Sequence, residues 1–303
     1  MKYQKVLVIG GTKQMGVHLI EELLNKGYDV TVANRGKTGD SFGNAVKRII
    51  FDRYDENSVA NAFKGENSHF DAIIDVIAFN GSCVNMMFKY VWTKKYIQFS
   101  SISAYTMLNI NQNEFEFNPL KFDYKAFKPY LEYLSAGDAK YQLGKRAAEK
   151  AALENYPSSV IIRIPSVAGR DALNPMLKQY AEAIALGKEI YLDKTKYERK
   201  FAITHTAEPG AFAVFALEND LSGIYNVASN GYFTNEMIVR YLEEKLNKKA
   251  NIIWGNENKC FHVDFPEHTL NTEKAINKGF VFSDVDEWLF SLLDYFSALY
   301  AKN

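Results

Sequence analysis

The sequence predicts an α/β fold, a doubly wound parallel sheet with a smaller C-terminal lobe. Three observations carry that reading: short β-branched runs alternating with helical periodicities, a glycine-rich turn between the first run and the first helix, and a cluster of hydroxyl residues at the end of a later run. With 303 residues and 47% hydrophobic content, the chain can bury a substantial core. Lys+Arg and Asp+Glu balance at 36 each, so no overall field draws it to nucleic acid or to an anionic membrane, and any phosphate affinity must come from a local site.

Residues 5–9 (KVLVI) form the kind of run expected in a strand covered on both faces, and residues 15–26 repeat Leu19, Ile20, Leu23 and Leu24 at helical spacing before Gly27. Residues 28–33 (YDVTVA) supply a second strand, 46–51 a third and 70–78 (FDAIIDVIA) a fourth, with a helical stretch around 58–63 between the last two. A fifth strand is expected over 95–100, an Ala-, Lys- and Glu-rich helix from about 138 to 156, and a sixth strand over 160–165. Such alternation implies parallel pairing through right-handed crossovers. Residues 103–138, rich in Asn, Phe and Tyr, exceed an ordinary βα connection and are expected to flank a bound molecule or hide short elements. Beyond Pro165 the alternation weakens, and 168–194 and 232–303 are expected to build the smaller lobe while 201–227 returns to the main sheet. The expected division is 1–167 plus 199–228 for the larger domain and 168–198 plus 229–303 for the smaller.

Cys83 and Cys260 are too few and too isolated for a disulfide framework or metal cluster, which suits a reducing compartment. The N-terminal apolar run leads straight into glycines rather than a cleavage site, and no run approaches bilayer length, so a cytoplasmic protein without a membrane partner is expected.

Gly10-Gly11-Thr12-Lys13-Gln14-Met15-Gly16 falls between the first strand and the first helix. There glycines permit a tight turn and close helix packing, and free N–H groups at the helix start can bind a pyrophosphate. Placement favours dinucleotide binding over a plain βα connection. Lys13 stands where a G-x-x-G-x-x-G pattern would have its middle glycine; it can lie along the phosphates or remain solvated at the rim. After the second strand, where an Asp or Glu would bind the ribose hydroxyls of NAD, the sequence reads Asn34-Arg35-Gly36-Lys37. A carboxylate would repel a 2′-phosphate, whereas Arg35 offers a planar fork and Lys37 adds charge, so NADP is favoured and NAD stays open. Arg35 as a solvated turn residue is the alternative. Asp52 is a candidate acceptor for the adenine amino group, with Arg53 covering the ring; the rival role for Asp52 is a helix N-cap.

Tyr141 and Lys145 stand at i and i+4 on one helical face, close enough for the ammonium to favour the phenolate and lower the tyrosine pKa. With 19 tyrosines such spacing arises readily by chance. Position along the chain strengthens it, because the helix follows a strand ending in Phe99-Ser-Ser-Ile-Ser-Ala-Tyr105, which places hydroxyls at the carboxyl edge of the sheet.

These features together resemble the extended short-chain dehydrogenases/reductases, the NAD-dependent epimerase/dehydratase family. The likeness spans nearly the whole chain: the glycine motif, S-S-x-S-x-Y ending at Tyr105, Tyr141/Lys145, IRIPSVAG over 162–169, SGIYNV over 222–227, and Lys274-Ala-x-x-x-Gly279-Phe280 followed by Trp288-Leu289. The resemblance implies a Rossmann dinucleotide-binding domain and a smaller substrate-binding lobe. It implies a catalytic Ser101, Tyr141 as general acid/base, and Lys145 as the residue that holds the nicotinamide ribose and tunes the tyrosine. It extends the candidate cofactor contacts to Ile77, Ala78 and Pro165 at strand ends. Gly-Gly-Thr-Lys-x-Met-Gly with Asn34-Arg35-Gly36 is most similar to an atypical branch that includes chloroplast stem-loop RNA-binding proteins.

The implied activity is hydride transfer between a nicotinamide and a carbinol or ketone carbon, with epimerisation, dehydration and simple redox all open. The implied partner is a small molecule, a sugar or nucleotide-sugar, with Arg170, Lys178 or Lys200 available for a diphosphate. The family also makes a homodimer through helices flanking the sheet an open arrangement. The alternative is a non-catalytic NADP-sensing RNA-binding or regulatory protein on the same fold, against which the neutral net charge counts. His205 reads as structural. His18, His69, His262 and His268 lack metal-ligand spacing, so no metal is expected. The aromatic stretch 115–133 is expected to pack against the small lobe, and Arg146, Glu149, Lys150 and the run 245–249 read as solvated helix faces.

Overall fold

A computed structural model describes residues 2–123, 136–255 and 266–300. Alternation of buried β-branched strands with amphipathic helices produces β1 (Lys5–Ile9), α1 (Met15–Asn25), β2 (Asp29–Asn34), β3 (Lys47–Ile50), α2 (Glu56–Ala62), β4 (His69–Asp75), α3 (Gly81–Tyr90) and β5 (Trp92–Phe99). The chain continues through α4 (Ala136–Asn155), β6 (Val160–Arg163), β7 (Ser166–Ala168), α5 (Met176–Leu186), β8 (Glu189–Leu192), β9 (Ile203–His205) and α6 (Glu208–Glu218). It ends with β10 (Gly223–Asn226), α7 (Asn235–Leu246), β11 (Asn251–Trp254), α8 (Glu273–Ile276) and α9 (Val285–Ala298).

Seven strands form one parallel sheet in the order β10-β6-β5-β4-β1-β2-β3. The order reverses at β1, whose neighbours are β2 and β4, so the crevice outside the carboxyl ends of β1 and β4 is the place where doubly wound folds bind ligands. Both faces are covered. Leu7, Ile9, Phe70, Ile73, Tyr96 and Ile161 pack with Val84 and Met87 of α3 and Ala148, Ala151 and Ala152 of α4, while α1 meets α6 so closely that a Cβ on Gly210 would stand 2.8 Å from Leu19 N.

The chain divides into two units. One holds the stretch up to Thr106, Glu114–Ile164 and Ala207–Val227; the other holds Met107–Asn113, Pro165–Thr206 and the chain from Ala228. The second unit has its own core of Leu177, Tyr180, Ile184, Ile238, Leu242, Leu289 and Leu293 from α5, α7 and α9. It contains two small parallel pairs, β7 with β9 and β8 with β11.

Several expectations need correction. The fourth strand stops at Asp75, not Ala78, because the Asp75 carboxylate turns back to accept from Ile77 N at 3.0 Å. Helix α3 follows, with Asn80 capping it through Cys83 N; its polar start and mixed face leave no strong period in the sequence. Residues 201–227 do not return to the main sheet as one piece. Only β10 joins it, beside β6, while β9 pairs with β7 elsewhere. Asp52 does not cap α2: Asp55 does, accepting from Asn57 N at 3.0 Å, and Asp52 Oδ1 accepts from Tyr54 N.

Candidate active site

The glycine turn departs from β1 at the switch point. Gly10 and Gly11 have φ of 93° and 90°, conformations open to glycine at no steric cost. A Cβ on Gly16 would stand 2.4 Å from Gly11 Cα, so the first turn of α1 lies directly on the loop. The missing middle glycine leaves a trace: Gln14, beside exposed Lys13, takes φ 50° and ψ −128°, a strained pairing for a side-chain-bearing residue. Thr12, Gln14 and Met15 are half-buried around the turn. This cradle admits no side chain, and with the N-terminus of α1 it fits the pyrophosphate of a dinucleotide.

At the end of β2, Asn34 Oδ1 accepts from Gly36 N at 2.7 Å and fixes a tight turn. Arg35 and Lys37 are exposed there. Ile77 lies beside Gly10, where an added Cβ would meet Ile77 Cγ2 at 3.0 Å, and Ala78 is buried next to it. Pro165 is buried after Ile164, whose carbonyl accepts from Ile102 N. Arg53 departs from the expectation that it covers an adenine ring. Its side chain is 4% exposed and faces inward, forming a two-pronged ion pair with Asp75 at 2.9 Å per bond.

Ser101 follows β5 in extended conformation and caps the short turn Ile102–Ala104, its Oγ accepting from Ser103 N at 3.1 Å. Tyr141 and Lys145 come from α4, which is driven against the chain that follows β4: a Cβ on Gly144 would stand 2.1 Å from Phe79 O. Lys145 Nζ is buried, donates to Phe99 O at 2.9 Å, and sits 4.8 Å from the Phe79 ring and 5.8 Å from the Tyr141 ring. Tyr141 keeps 40% of its surface exposed. The structure thus brings Ser101, Tyr141 and Lys145 to one edge.

The electrostatics differ from the expectation in one respect. Burial raises the Tyr141 pKa and the Ser101 hydroxyl lowers it, with the rise prevailing, so the expected lowering by Lys145 does not govern. Desolvation instead lowers Lys145 to about 8, opposed by the nearby carboxylates of Asp75 and Glu149.

Arg146, Glu149 and Lys150 are not a solvated face, because this side of α4 lies against the sheet and the segment after β5. Arg146 is buried and donates to Ala104 O at 2.8 Å and Tyr105 O at 2.6 Å. Glu149, wholly buried, accepts from Ser100 and pairs with Arg163 of β6 at 2.8 Å. Arg163 also donates to Glu114 O and Phe117 O, and Lys150 to Phe122 O. The sequence reading missed Asp75, Phe79, Glu149 and Arg163 as parts of the site's surroundings. The available signal was a charge inside an apolar run, Asp75 in FDAIIDVIA and Arg163 in VIIRIP, since a buried charge requires a partner.

Elsewhere, the His205 ring packs 5.4 Å from Trp288. Arg170 lies over Tyr295 at 4.3 Å, Lys200 over Tyr232 at 4.7 Å, and Lys178 is exposed. Of the aromatic stretch, Phe117 and Phe122 are buried against each other, and residues 124–133 lie outside the described residues, as do Cys260 and His262. Among the described residues no three His, Cys, Asp or Glu side chains gather as metal ligands, and no helix is long and apolar enough to cross a membrane.

The sequence model of the NAD dependent epimerase/dehydratase family matches residues 6–92, the stretch running from β1 through the glycine turn to the start of β5. Over this stretch the chain is similar to that family. It is 23% identical to anthocyanidin reductase of Arabidopsis thaliana, over 97% of this chain and 95% of that one. Among solved structures it is similar to UDP-glucose 4-epimerase of Thermus thermophilus in complex with NAD, with TM-score 0.69, 19% identity and coverage of 96% and 98% of the two chains. A dTDP-glucose 4,6-dehydratase of Bacillus anthracis in complex with NAD gives TM-score 0.73 at 15% identity, covering 97% of each chain. At these identities the solved structures establish the shared fold.

Proposed function

We propose that this chain is an NAD(P)-dependent oxidoreductase of the epimerase/dehydratase type, acting at a carbinol or ketone carbon of a sugar or nucleotide-sugar. The observation that carries the proposal is the meeting of a serine hydroxyl, a phenol and a desolvated ammonium at the carboxyl edge of the sheet, on the same edge as a glycine turn that no side chain can fill. When bound, the nicotinamide supplies the hydride acceptor or donor. Tyr141 Oη exchanges a proton with the substrate hydroxyl, and Ser101 Oγ donates a hydrogen bond to the same oxygen. Lys145 is assigned to the nicotinamide ribose. With its pKa raised, Tyr141 is a protonated phenol at neutral pH, the form that gives a proton to a carbonyl oxygen, and the reverse direction gains as pH rises.

The substrate class is supported by relatives named for UDP-glucose and dTDP-glucose chemistry. A preference for NADP rests on exposed Arg35 and Lys37 and on the lack of a carboxylate at the end of β2. The NAD-bound relatives keep NAD open as the physiological cofactor.

The test is titration with NAD and NADP followed by turnover on a panel of UDP- and dTDP-sugars, for the wild type and Tyr141→Phe. The phenylalanine variant should bind dinucleotide within about threefold of the wild type and lose turnover on the order of a thousandfold, the scale of general acid–base catalysis. Undiminished turnover in that variant, or a wild type that takes up neither dinucleotide, refutes the proposal.

A further inference from the structure

Asp75 ends β4 in register with Ile9, the last residue of β1, so it stands beside the strand end from which the glycine turn departs. It is fully buried. Its carboxylate accepts four hydrogen bonds: 2.9 Å from each terminal nitrogen of Arg53, 3.0 Å from Ile77 N, and 3.1 Å from the Tyr96 hydroxyl. Arg53 also donates to Ile77 O at 2.7 Å. Residue 77 is therefore held at both polar backbone atoms by one ion pair, and its side chain packs where a Cβ on Gly10 would be, at 3.0 Å. Tyr96 remains a neutral donor, its pKa pushed well up by burial and by Asp75.

A carboxylate at this edge conflicts with the task of the turn beside it. An anionic pyrophosphate on the turn would meet a negative charge through protein interior, where charges are weakly screened. Arg53, itself buried, cancels that charge, its terminal nitrogens donating to Asp75 and to Ile77 O.

We propose that Arg53 is the counter-charge that lets the glycine turn accept an anionic dinucleotide, a positioning residue that neutralises Asp75 without touching the ligand. The inference rests on the dinucleotide reading above and adds an electrostatic requirement to it. It gives a sign that a purely structural pair would not. Both Arg53→Met and Asp75→Asn break the same ion pair, so loss of support would weaken binding in both. Under charge balance, Arg53→Met removes the cation paired with Asp75, leaving the nearby Lys145 ammonium as its remaining counter-charge, and weakens binding, whereas Asp75→Asn removes one buried negative charge and tightens it.

The experiment is calorimetric titration of NAD, with uncharged adenosine as the control probe, at low and high salt, on the wild type, both single variants and the double variant. Affinity for NAD should fall on the order of tenfold in Arg53→Met and rise by a similar factor in Asp75→Asn, the scale of one unit charge acting across several ångströms of protein. Because both groups are buried, both changes should largely persist in high salt, adenosine should respond to neither, and the double variant should return to near the wild type. Asp75→Asn is nearly isosteric and keeps polar partners for Arg53, so it carries the test if Arg53→Met does not fold. Weaker NAD binding in Asp75→Asn, or no change in either variant, overturns the proposal while leaving the dinucleotide reading standing. A wild type that binds no dinucleotide overturns both.

Discussion

Replacing Lys145 with methionine should make the protein more stable at neutral pH while abolishing its proposed activity. Lys145 is 3% exposed, with Phe99 O as its hydrogen-bond acceptor among the described residues at 2.9 Å and the Phe79 ring alongside. Desolvation lowers its pKa from 10.5 to about 8 in the folded protein. That displacement amounts to about 3 kcal/mol against the charged form. The cost is fully present below about pH 8 and is relieved as pH approaches 10.5, because in that window the unfolded chain binds a proton that the folded one has released. Stability of the wild type therefore rises with pH through this window. Methionine removes the cost and gives up a hydrogen bond of about 1 kcal/mol, so a net gain of about 2 kcal/mol is expected at about pH 7. Urea unfolding of both proteins from about pH 7 to about pH 9.5 isolates the effect, since all other titrating groups are shared. The advantage of the variant should shrink by about 2 kcal/mol across that range. A difference that stays flat with pH would refute the reasoning, as would a methionine variant less stable than the wild type at neutral pH.

Other outcomes follow from the same geometry. Gly16→Ala forces a Cβ to within 2.4 Å of Gly11 Cα and should destabilise the fold by roughly 3 kcal/mol and abolish NAD binding, read by thermal unfolding and titration. Glu149→Gln leaves Arg163 without its counter-charge in the core and should cost about 3 to 5 kcal/mol in urea unfolding, whereas breaking the exposed Lys89–Glu56 pair with Lys89→Ala should leave the unfolding midpoint nearly unchanged. Arg35→Asp should invert the order of NADP and NAD affinities, measured by titrating both cofactors into both proteins; equal affinities in the wild type would remove the basis for the preference.

The parts of this molecule that could be read from residue order are those governed by local periodicity. β1 and α1 fall within a residue of where KVLVI and the Leu19–Leu23 spacing place them, because a buried strand and an amphipathic helix each write their own period. Tyr141 and Lys145 were legible for the same reason, as one helical turn places them on one face. What was hidden depended on distant partners. Arg53 and Asp75 are 22 residues apart, and Glu149 and Arg163 are 14 apart, and nothing local distinguishes a lysine or glutamate at a helix surface from one pressed against a sheet. Arg146, Glu149 and Lys150 were misread for that reason. The sense of the Tyr141 displacement was also out of reach, since it turns on how much protein crowds the phenol, which spacing does not encode.

Arg146, Arg163 and Lys150 reach out to the chain that follows β5 and grasp it at Ala104, Tyr105, Glu114, Phe117 and Phe122, each time through a main-chain carbonyl oxygen. Every amino acid supplies that oxygen. These carbonyl contacts do not read the identity of the moored residue, so discrimination along the segment falls to its buried side chains, Tyr105 on Asn226, Glu114 on the Asn226 amide, and Phe117 against Phe122. Diversity can therefore accumulate at the outward-facing positions between the moorings, such as Met107, Ile110, Phe115 and Leu120, without unpicking the anchorage.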